Sequence, residues 1–520
     1  MTKPIARVIS NPIVALVEGI DDPTKLALSD AMSYLVEGHE HMGSGNWDGR
    51  STLYDWTSGK FPAGFISTAL AVLQQRGYEA QQLKKPLPEP LGPMPVQGNA
   101  LVDDFPADPD RDYQFNCVRV LEKHGSFIAR VATGGGKSRI AALCIKRIGR
   151  KTIFITTREV LLYQMGDSLE ASGFKVSYIG DGNWDTSGDV ILAMVPTLSQ
   201  RLAPWSYDPM KKLTKDEIEA SRLRHERRQK EALDLMDSIE FVIAEEAHEA
   251  GGNGYYEVCK ALRRAHYRLA LTATPMMRDG ESNQRLVGMF GPIRVEVTEK
   301  QLIDAGILAK PFFKFIPIGK GKQPPTLRNS TAWQKAEEIG IVTNHWRNKH
   351  VCAEVIRAAR WGLTSMVLVK RKKHGEIIHS MLQQAGLRGI YIFGESSKEK
   401  RQVALEKLRT GEYDYVIGST ILDVGVDVPG VFLLVLAGGG KAEVAIRQRI
   451  GRGLRGKKNM PNFSLVVDFE DQNSKHLVKH SRARRAIVEG TPGFAEGILP
   501  KNKDFDFEGL GFRRLASLAA

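Results

Sequence analysis

The stretch Val131-Ala-Thr-Gly-Gly-Gly-Lys-Ser138 decides how this chain is read. It follows the apolar run Ser126-Phe-Ile-Ala-Arg-Val131 and precedes Arg139-Ile-Ala-Ala-Leu-Cys-Ile-Lys146, which gives strand, glycine-rich turn and helix in succession. Gly134, Gly135 and Gly136 let consecutive backbone N–H groups turn inward around a phosphate, at a helix N-terminus whose dipole favours negative charge. Thr133 belongs to the same cradle, Lys137 is spaced to reach the β- and γ-phosphates, and the Ser138 hydroxyl is placed to ligate Mg2+. The spacing fits G-x-x-x-x-G-K-[ST] except that Val131 stands at the first glycine position. A glycine-rich turn between a strand and a helix also occurs without a nucleotide, so its surroundings decide.

Those surroundings are ordered. Arg111-Asp-Tyr-Gln114 opens an amphipathic stretch about one helix upstream, and Glu240-Phe-Val-Ile-Ala244 is a short apolar strand ending in Glu245-Glu-Ala-His248. A carboxylate pair at a strand's C-terminal end is what phosphoryl transfer to water needs, one for the metal shell and the next to polarise the attacking water. Leu269-Ala-Leu-Thr-Ala-Thr-Pro275, Thr420-Ile-Leu-Asp-Val-Gly-Val-Asp-Val-Pro429 and Gln448-Arg-Ile-Gly-Arg-Gly-Leu-Arg455 follow. Arg452 and Arg455 are three apart, on one face if helical, and a positioned arginine stabilises the charge spread over a transferring phosphoryl group.

Taken together, these motifs resemble those of superfamily-two helicases. The resemblance implies an α/β protein with two tandem RecA-like parallel-sheet motor domains, ATP and Mg2+ as cofactors, and DNA as the partner. It assigns Gln114 to adenine recognition, Lys137, Glu246, Gln448, Arg452 and Arg455 to catalysis, and Ser138 with Glu245 to the metal. His248, Gly425 and Asp427 fall to the nucleotide cleft, Thr272 and Thr274 to coupling, and Thr157, Arg158, Thr197 and Thr420 to the nucleic-acid strand. Thr157, Arg158 and Thr197 serve equally well as helix caps when read alone. Because both arginines lie in the second motor domain, the site is expected to close only when the lobes close. One departure matters: Glu245 replaces the Asp of the D-E-A-H pattern. The added methylene is expected to shift the metal or its water, and a misplacement of about 1 Å can cost about a hundredfold in rate.

A chain of 520 residues suggests about three domains. Its 42% hydrophobic and 26% charged residues describe a globular protein, and runs such as Val431-Phe-Leu-Leu-Val-Leu-Ala437 are too short for a membrane span. Met1-Thr-Lys-Pro-Ile-Ala-Arg7 lacks a signal-peptide core, and Cys117, Cys144, Cys259 and Cys352 lie far apart, which fits a reducing cytoplasm, a bacterial host's if the chain is phage-encoded. A net charge of +13 suits a binder of phosphate backbones.

In chain order, residues 1–98 read as a small accessory α/β domain, with a strand at Arg7-Val-Ile-Ser10, a helix over 22–35 and another over 67–76. Gly45-Asn-Trp-Asp-Gly-Arg50, Leu53-Tyr-Asp55 and Phe61-Pro-Ala-Gly64 resemble the N-terminal domain of the UvsW-type phage recombination helicases, which implies engagement of branched DNA. The Pro-rich stretch up to about residue 109 reads as a semi-rigid linker. Strand and helix patterns then alternate over 110–300 and again over 301–475, as parallel sheets require. The charged insertion 203–237 reads as a solvated helix rather than a DNA-binding arm, and 476–520 as a basic tail, flexible or in contact with nucleic acid.

The function expected is an ATP-dependent DNA helicase or translocase that remodels forks or Holliday-type junctions. An RNA helicase, a restriction-type translocase and a non-hydrolysing nucleic-acid scaffold are the alternatives, and no protein partner is inferable from the residues.

Overall fold

Apolar runs such as Thr152-Ile-Phe-Ile-Thr156 and Phe241-Val-Ile-Ala-Glu245 are buried along their whole length, as in parallel strands covered by helices on both faces. The computed structural model describes residues 3–36, 48–93, 109–207, 214–247, 252–274, 280–319, 327, 332–393, 396–418, 431–440 and 461–514. It forms two compact units, Met1–Val131 with Gly136–Glu296, and Ala132–Gly135 with Val297–Ala520.

The first unit begins with β1 (Ile5–Ser10), β2 (Val14–Glu18), α1 (Asp22–Ala31), β3 (Ser33–Leu35), β4 (Arg50–Thr52), β5 (Lys60–Pro62), α2 (Ile66–Gln75) and β6 (Glu79–Lys84). A four-stranded sheet has the order β5-β2-β1-β6, and β3 pairs with β4. The Asp21 side chain accepts the Thr24 N–H at 2.9 Å and starts α1. That helix stops at Ala31 rather than Leu35, because Ser33–Leu35 is taken up by pairing with Arg50–Thr52. The sheet is not free-standing: Val287, from the motor domain, packs into its apolar cluster. Residues 85–93 do not span open solvent either. The Leu91 N–H donates to the Ile148 carbonyl at 2.8 Å, and the Tyr267 hydroxyl and Arg150 guanidinium donate to the carbonyls of Pro88 and Glu89. The prolines of this segment donate no N–H, so its hold on the motor combines the few N–H groups it has with the carbonyls of Pro88 and Glu89.

The motor part of this unit continues with α3 (Asp112–His124), β7 (Ser126–Val131), α4 (Lys137–Ile148), β8 (Thr152–Thr156), α5 (Glu159–Ala171), β9 (Val176–Gly180), β10 (Asn183–Trp184) and β11 (Val190–Met194). Then come α6 (Val195–Leu202), α7 (Lys215–Ser238), β12 (Phe241–Glu245), α8 (Asn253–Ala261), β13 (Tyr267–Thr272), α9 (Gly280–Phe290) and β14 (Ile293–Val297). Eight strands form one sheet in the order β10-β9-β11-β8-β12-β13-β7-β14. The pairings of β9, β11, β8, β12, β13 and β7 are parallel, so their C-terminal ends share one edge. α7 is the charged insertion, opened by a capping box between Thr214 and Glu217.

The second unit carries α10 (Glu299–Asp304), β15 (Lys310–Ile318), α11 (Trp333–Glu337), α12 (His345–Ala359), β16 (Ser365–Leu368), α13 (Lys372–Gln384) and β17 (Gly389–Ile392). It ends with α14 (Lys398–Arg409), β18 (Tyr415–Gly418), β19 (Leu433–Leu436), β20 (Phe463–Asp471) and α15 (Lys475–Glu489). Its sheet runs β15-β20-β19-β16-β18-β17, with every pairing parallel. This completes the two RecA-like α/β sheets expected. The described residues beyond 475 are not a loose tail. Arg484 of α15 is buried and pairs with Asp468 at 2.8 Å, while Phe505, Phe507 and Phe512 join the main apolar cluster. Beside them the fully buried Arg347 pairs with Asp471 at 2.8 Å and donates to the Ala437 carbonyl, which satisfies a charge that burial would otherwise make costly.

Candidate active site

The phosphate cradle is built by backbone geometry. β7 ends at Val131 and α4 starts at Lys137, with the left-handed Gly136 (φ 78°) as its N-cap and Gly134 also at positive φ (91°). A Cβ on Gly136 would sit 2.5 Å from Gln114 Nε2, so glycine is needed for its φ and for the approach of that side chain. Gln114, fully buried on α3, is thereby placed against the loop, where the resemblance puts adenine recognition. Val131, the departure at the first glycine position, is the last residue of β7 and wholly buried, so its side chain belongs to the core and not to the cradle.

Two strands away, β12 delivers the acidic pair to the same sheet edge. Glu245 is buried, and burial pushes its carboxyl up to about 7; the positive charge of Lys137 opposes this and Glu246 reinforces it. Lys137 and Glu245 therefore feel one another across the sheet edge although 108 residues separate them. Glu246 adopts a left-handed backbone (φ 47°), uncommon for a residue with a side chain and of the kind that clusters at functional sites. Between β12 and β7, β13 ends at the buried Thr272, whose hydroxyl accepts the Thr274 N–H at 3.2 Å. Thr274 Oγ1 is buried with no hydrogen-bond partner among the described residues.

These features fit a nucleoside triphosphate with a divalent cation. Glycines 134 and 136 leave a backbone cradle, and a buried carboxyl kept from ionising is one that a bound cation would restore to its charged form.

Farther along the same edge, Thr157 and Arg158 follow β8, and Thr197 lies in the first turn of α6 after β11. The Thr156 hydroxyl accepts the Arg158 N–H at 3.3 Å and shapes the entry to α5. His248, Thr420, Gly425, Asp427, Gln448, Arg452 and Arg455 lie outside the described residues. Sequence reasoning missed Arg201, whose guanidinium stacks 3.5 Å from the ring centre of Trp184. Seventeen residues and a strand separate the two, so no spacing announced the pair.

Two family models match the two sheets. "Type III restriction enzyme, res subunit" covers residues 108–277, and "Helicase conserved C-terminal domain" covers 347–457. The chain belongs to the superfamily-two helicases. This helicase is 23% identical over 483 residues to the ATP-dependent DNA helicase uvsW of Enterobacteria phage T4, a match covering 87% of this chain and 88% of that one. It is also 23% identical over 380 residues to the DNA 3'-5' translocase XPB2 of Sulfurisphaera tokodaii, covering 67% and 79% of the two chains. Among solved structures, the DUF1998 helicase MrfA bound to DNA matches with a TM-score of 0.52 at 16% identity, over 77% of this helicase and 52% of that chain, which is a likeness of fold. No helix among the described residues is long and apolar enough to cross a membrane.

Proposed function

We propose that this helicase is a DNA-stimulated ATPase that moves on duplex or branched DNA and remodels forks or Holliday-type junctions. The observation that carries the proposal is the convergence on one sheet edge of the glycine cradle, Lys137, the buried Glu245 and the left-handed Glu246. In this reading the backbone of Thr133–Gly136 and the Lys137 ammonium hold the phosphates, while Gln114 orients the base. Ser138 and Glu245 are the residues that would hold Mg2+. When bound, that ion would supply charge neutralisation between phosphate oxygens. Glu246 accepts a proton from the water it orients, and its backbone conformation, fixed by the end of β12, sets the direction in which its carboxylate points. Thr272 and Thr274 link this edge to the segment after β13. Gln448, Arg452, Arg455, His248, Gly425 and Asp427 keep the roles the resemblance gives them, and Thr157, Arg158, Thr197 and Thr420 grip the phosphates of one strand.

Support for DNA comes from the net charge of +13 and from the two relatives, a DNA helicase and a DNA translocase; support for branched DNA comes only from the N-terminal resemblance carried by residues 45–50, 53–55 and 61–64. The test is ATP-driven conversion of a synthetic four-way DNA junction into duplex arms, beside a forked DNA and a matched RNA duplex. Junction conversion that needs hydrolysable ATP supports the proposal. Activity confined to the RNA duplex replaces it with an RNA helicase, and tight binding without ATP turnover replaces it with a passive scaffold.

A further inference from the structure

The charged helix α7 does not distribute its partners evenly. Arg222 is held by Glu219 at 2.6 Å and by Glu226 at 2.5 Å, and Arg227 is held by Glu231 at 3.2 Å. Arg224 and Arg228, one turn apart, enter no ion pair among the described residues, and His225 lies on their face of the helix. That face closes a cavity of about 250 Å3 against α6 and the β9–β10 turn, lined by Asn183, Thr197, Gln200, Arg201, His225 and Arg228. None of these six is acidic.

The wall is fixed rather than draped. His225 Nε2 and Gln229 Nε2 donate to the Ala203 carbonyl at 2.9 and 3.0 Å, and Gln229 Nε2 also donates to the Leu202 carbonyl at 3.1 Å. These bonds satisfy the last carbonyls of α6 and tie α7 to it. Arg201, stacked on Trp184, has one carboxylate partner among the described residues, Glu231 at 3.3 Å, which it shares with Arg227. Burial holds its guanidinium below the usual range; Glu231 opposes this, and the nearby positive charge of Arg228 adds to it. Two guanidinium groups thus repel one another beside a polar hollow. A bound anion would relieve that repulsion, and an arginine fork matches the oxygens of a phosphate.

We propose that this cavity seats one phosphodiester group of the nucleic-acid strand, with Arg228 and Arg201 supplying the charge and Asn183, Gln200 and Thr197 the neutral hydrogen bonds. The insertion thereby extends the strand-binding edge beyond Thr197. This rests on the reading of the chain as a nucleic-acid motor and adds to it a contact from a helix that the motor chemistry does not use.

The experiment measures binding of a fluorescent single-stranded oligonucleotide by anisotropy across a salt series, for wild type, Arg228→Ala, Arg228→Lys and Arg222→Ala. Losing one phosphate contact lowers the slope of log K against log salt by about 0.7 for single strands and weakens binding several-fold at low salt, uniformly across sequences. Arg228→Ala is expected to do both, Arg228→Lys to keep the slope, and Arg222→Ala, paired with Glu219 and Glu226 away from the cavity, to match wild type. A wild-type slope in Arg228→Ala, or the same loss in Arg222→Ala, overturns the proposal. Inorganic phosphate in a parallel titration separates the sources: competition at millimolar concentration that Arg228→Ala abolishes, with the oligonucleotide slope unmoved, identifies a free-anion site and also overturns it. A wild type with no nucleic-acid-stimulated ATP turnover defeats the motor reading itself, whatever the slopes.

Discussion

Gly64 offers a way to part the N-terminal sheet from the motor. It sits two residues after β5, and a Cβ added there would overlap the Val287 carbonyl oxygen of α9, lying 2.8 Å from the Val287 carbonyl carbon and 3.1 Å from Gly291 Cα. Carbon–carbon contacts settle at about 3.5–4.0 Å, so Gly64→Ala forces the two segments apart by roughly 1 Å, and both obstacles are backbone that no rotamer change removes. Overpacking of this kind costs about 1–3 kcal/mol, which shifts a docked–undocked equilibrium by about 5- to 150-fold. Gly77→Ala is the matched control. Gly77, unlike Gly64, has positive φ (83°) and faces open space, so it carries backbone strain of about 1–2 kcal/mol without touching the interface. Hydrogen exchange of α9 and junction-stimulated ATP hydrolysis are the assays. Gly64→Ala is expected to deprotect α9 and to lose most junction stimulation while hydrolysis without DNA persists, and Gly77→Ala to keep both. Junction stimulation at the wild-type level in a Gly64→Ala protein whose α9 is deprotected would refute the claim that docking couples this sheet to the motor.

Three other outcomes follow from the site and the second core. Gly136→Ala is expected to raise KM for ATP about tenfold or more, because the Cβ strains a left-handed position and displaces the Gln114 amide; steady-state kinetics at varied ATP checks it. Glu246→Gln is expected to lower kcat by about 10²- to 10⁴-fold while nucleotide binding by equilibrium titration persists, since the amide keeps the shape but accepts no proton. His374, buried on α13 against Asn348 at 2.9 Å, is pushed down to about 3 by burial, with the charge of Arg347 adding to it. The unfolded chain takes up a proton near pH 6.5 that the folded chain refuses until about pH 3, so stability contributed at neutral pH falls as pH drops through that window. The loss is about 2 kcal/mol between pH 6.5 and 5, and denaturant midpoints measured at those pH values are expected to converge in a His374→Gln variant.

What could be read in advance was whatever is local. The cradle depends on eight consecutive residues and on backbone freedom, so Val131–Ser138 announced it, and the apolar runs announced their strands. Juxtapositions set by sheet order were not legible. Only the parallel pairing of β12 with β13 and of β13 with β7 brings Glu245 within reach of Lys137, and no spacing encodes that. β6 escaped notice because Glu79-Ala-Gln-Gln-Leu-Lys84 is polar and is held by its ladder with β1, not by burial. The proline-rich segment read as a linker because prolines say what a backbone cannot donate, and not which carbonyls find partners such as Tyr267 and Arg150. In α7 the clue was present. Acidic residues three or four positions away flank Arg222, and Arg224 and Arg228 stand four apart on another face, but a net count of charges averages that contrast away.

The measurement that bears most directly on the central claim is steady-state ATP hydrolysis by wild type and Lys137→Ala, each without nucleic acid and with a four-way DNA junction. The account predicts junction-stimulated turnover in the wild type and its loss by at least two orders of magnitude in the variant, with the fold retained by circular dichroism. Equal turnover in the two proteins would mean that the edge formed by β7, β12 and β13 is not where this chain hydrolyses ATP.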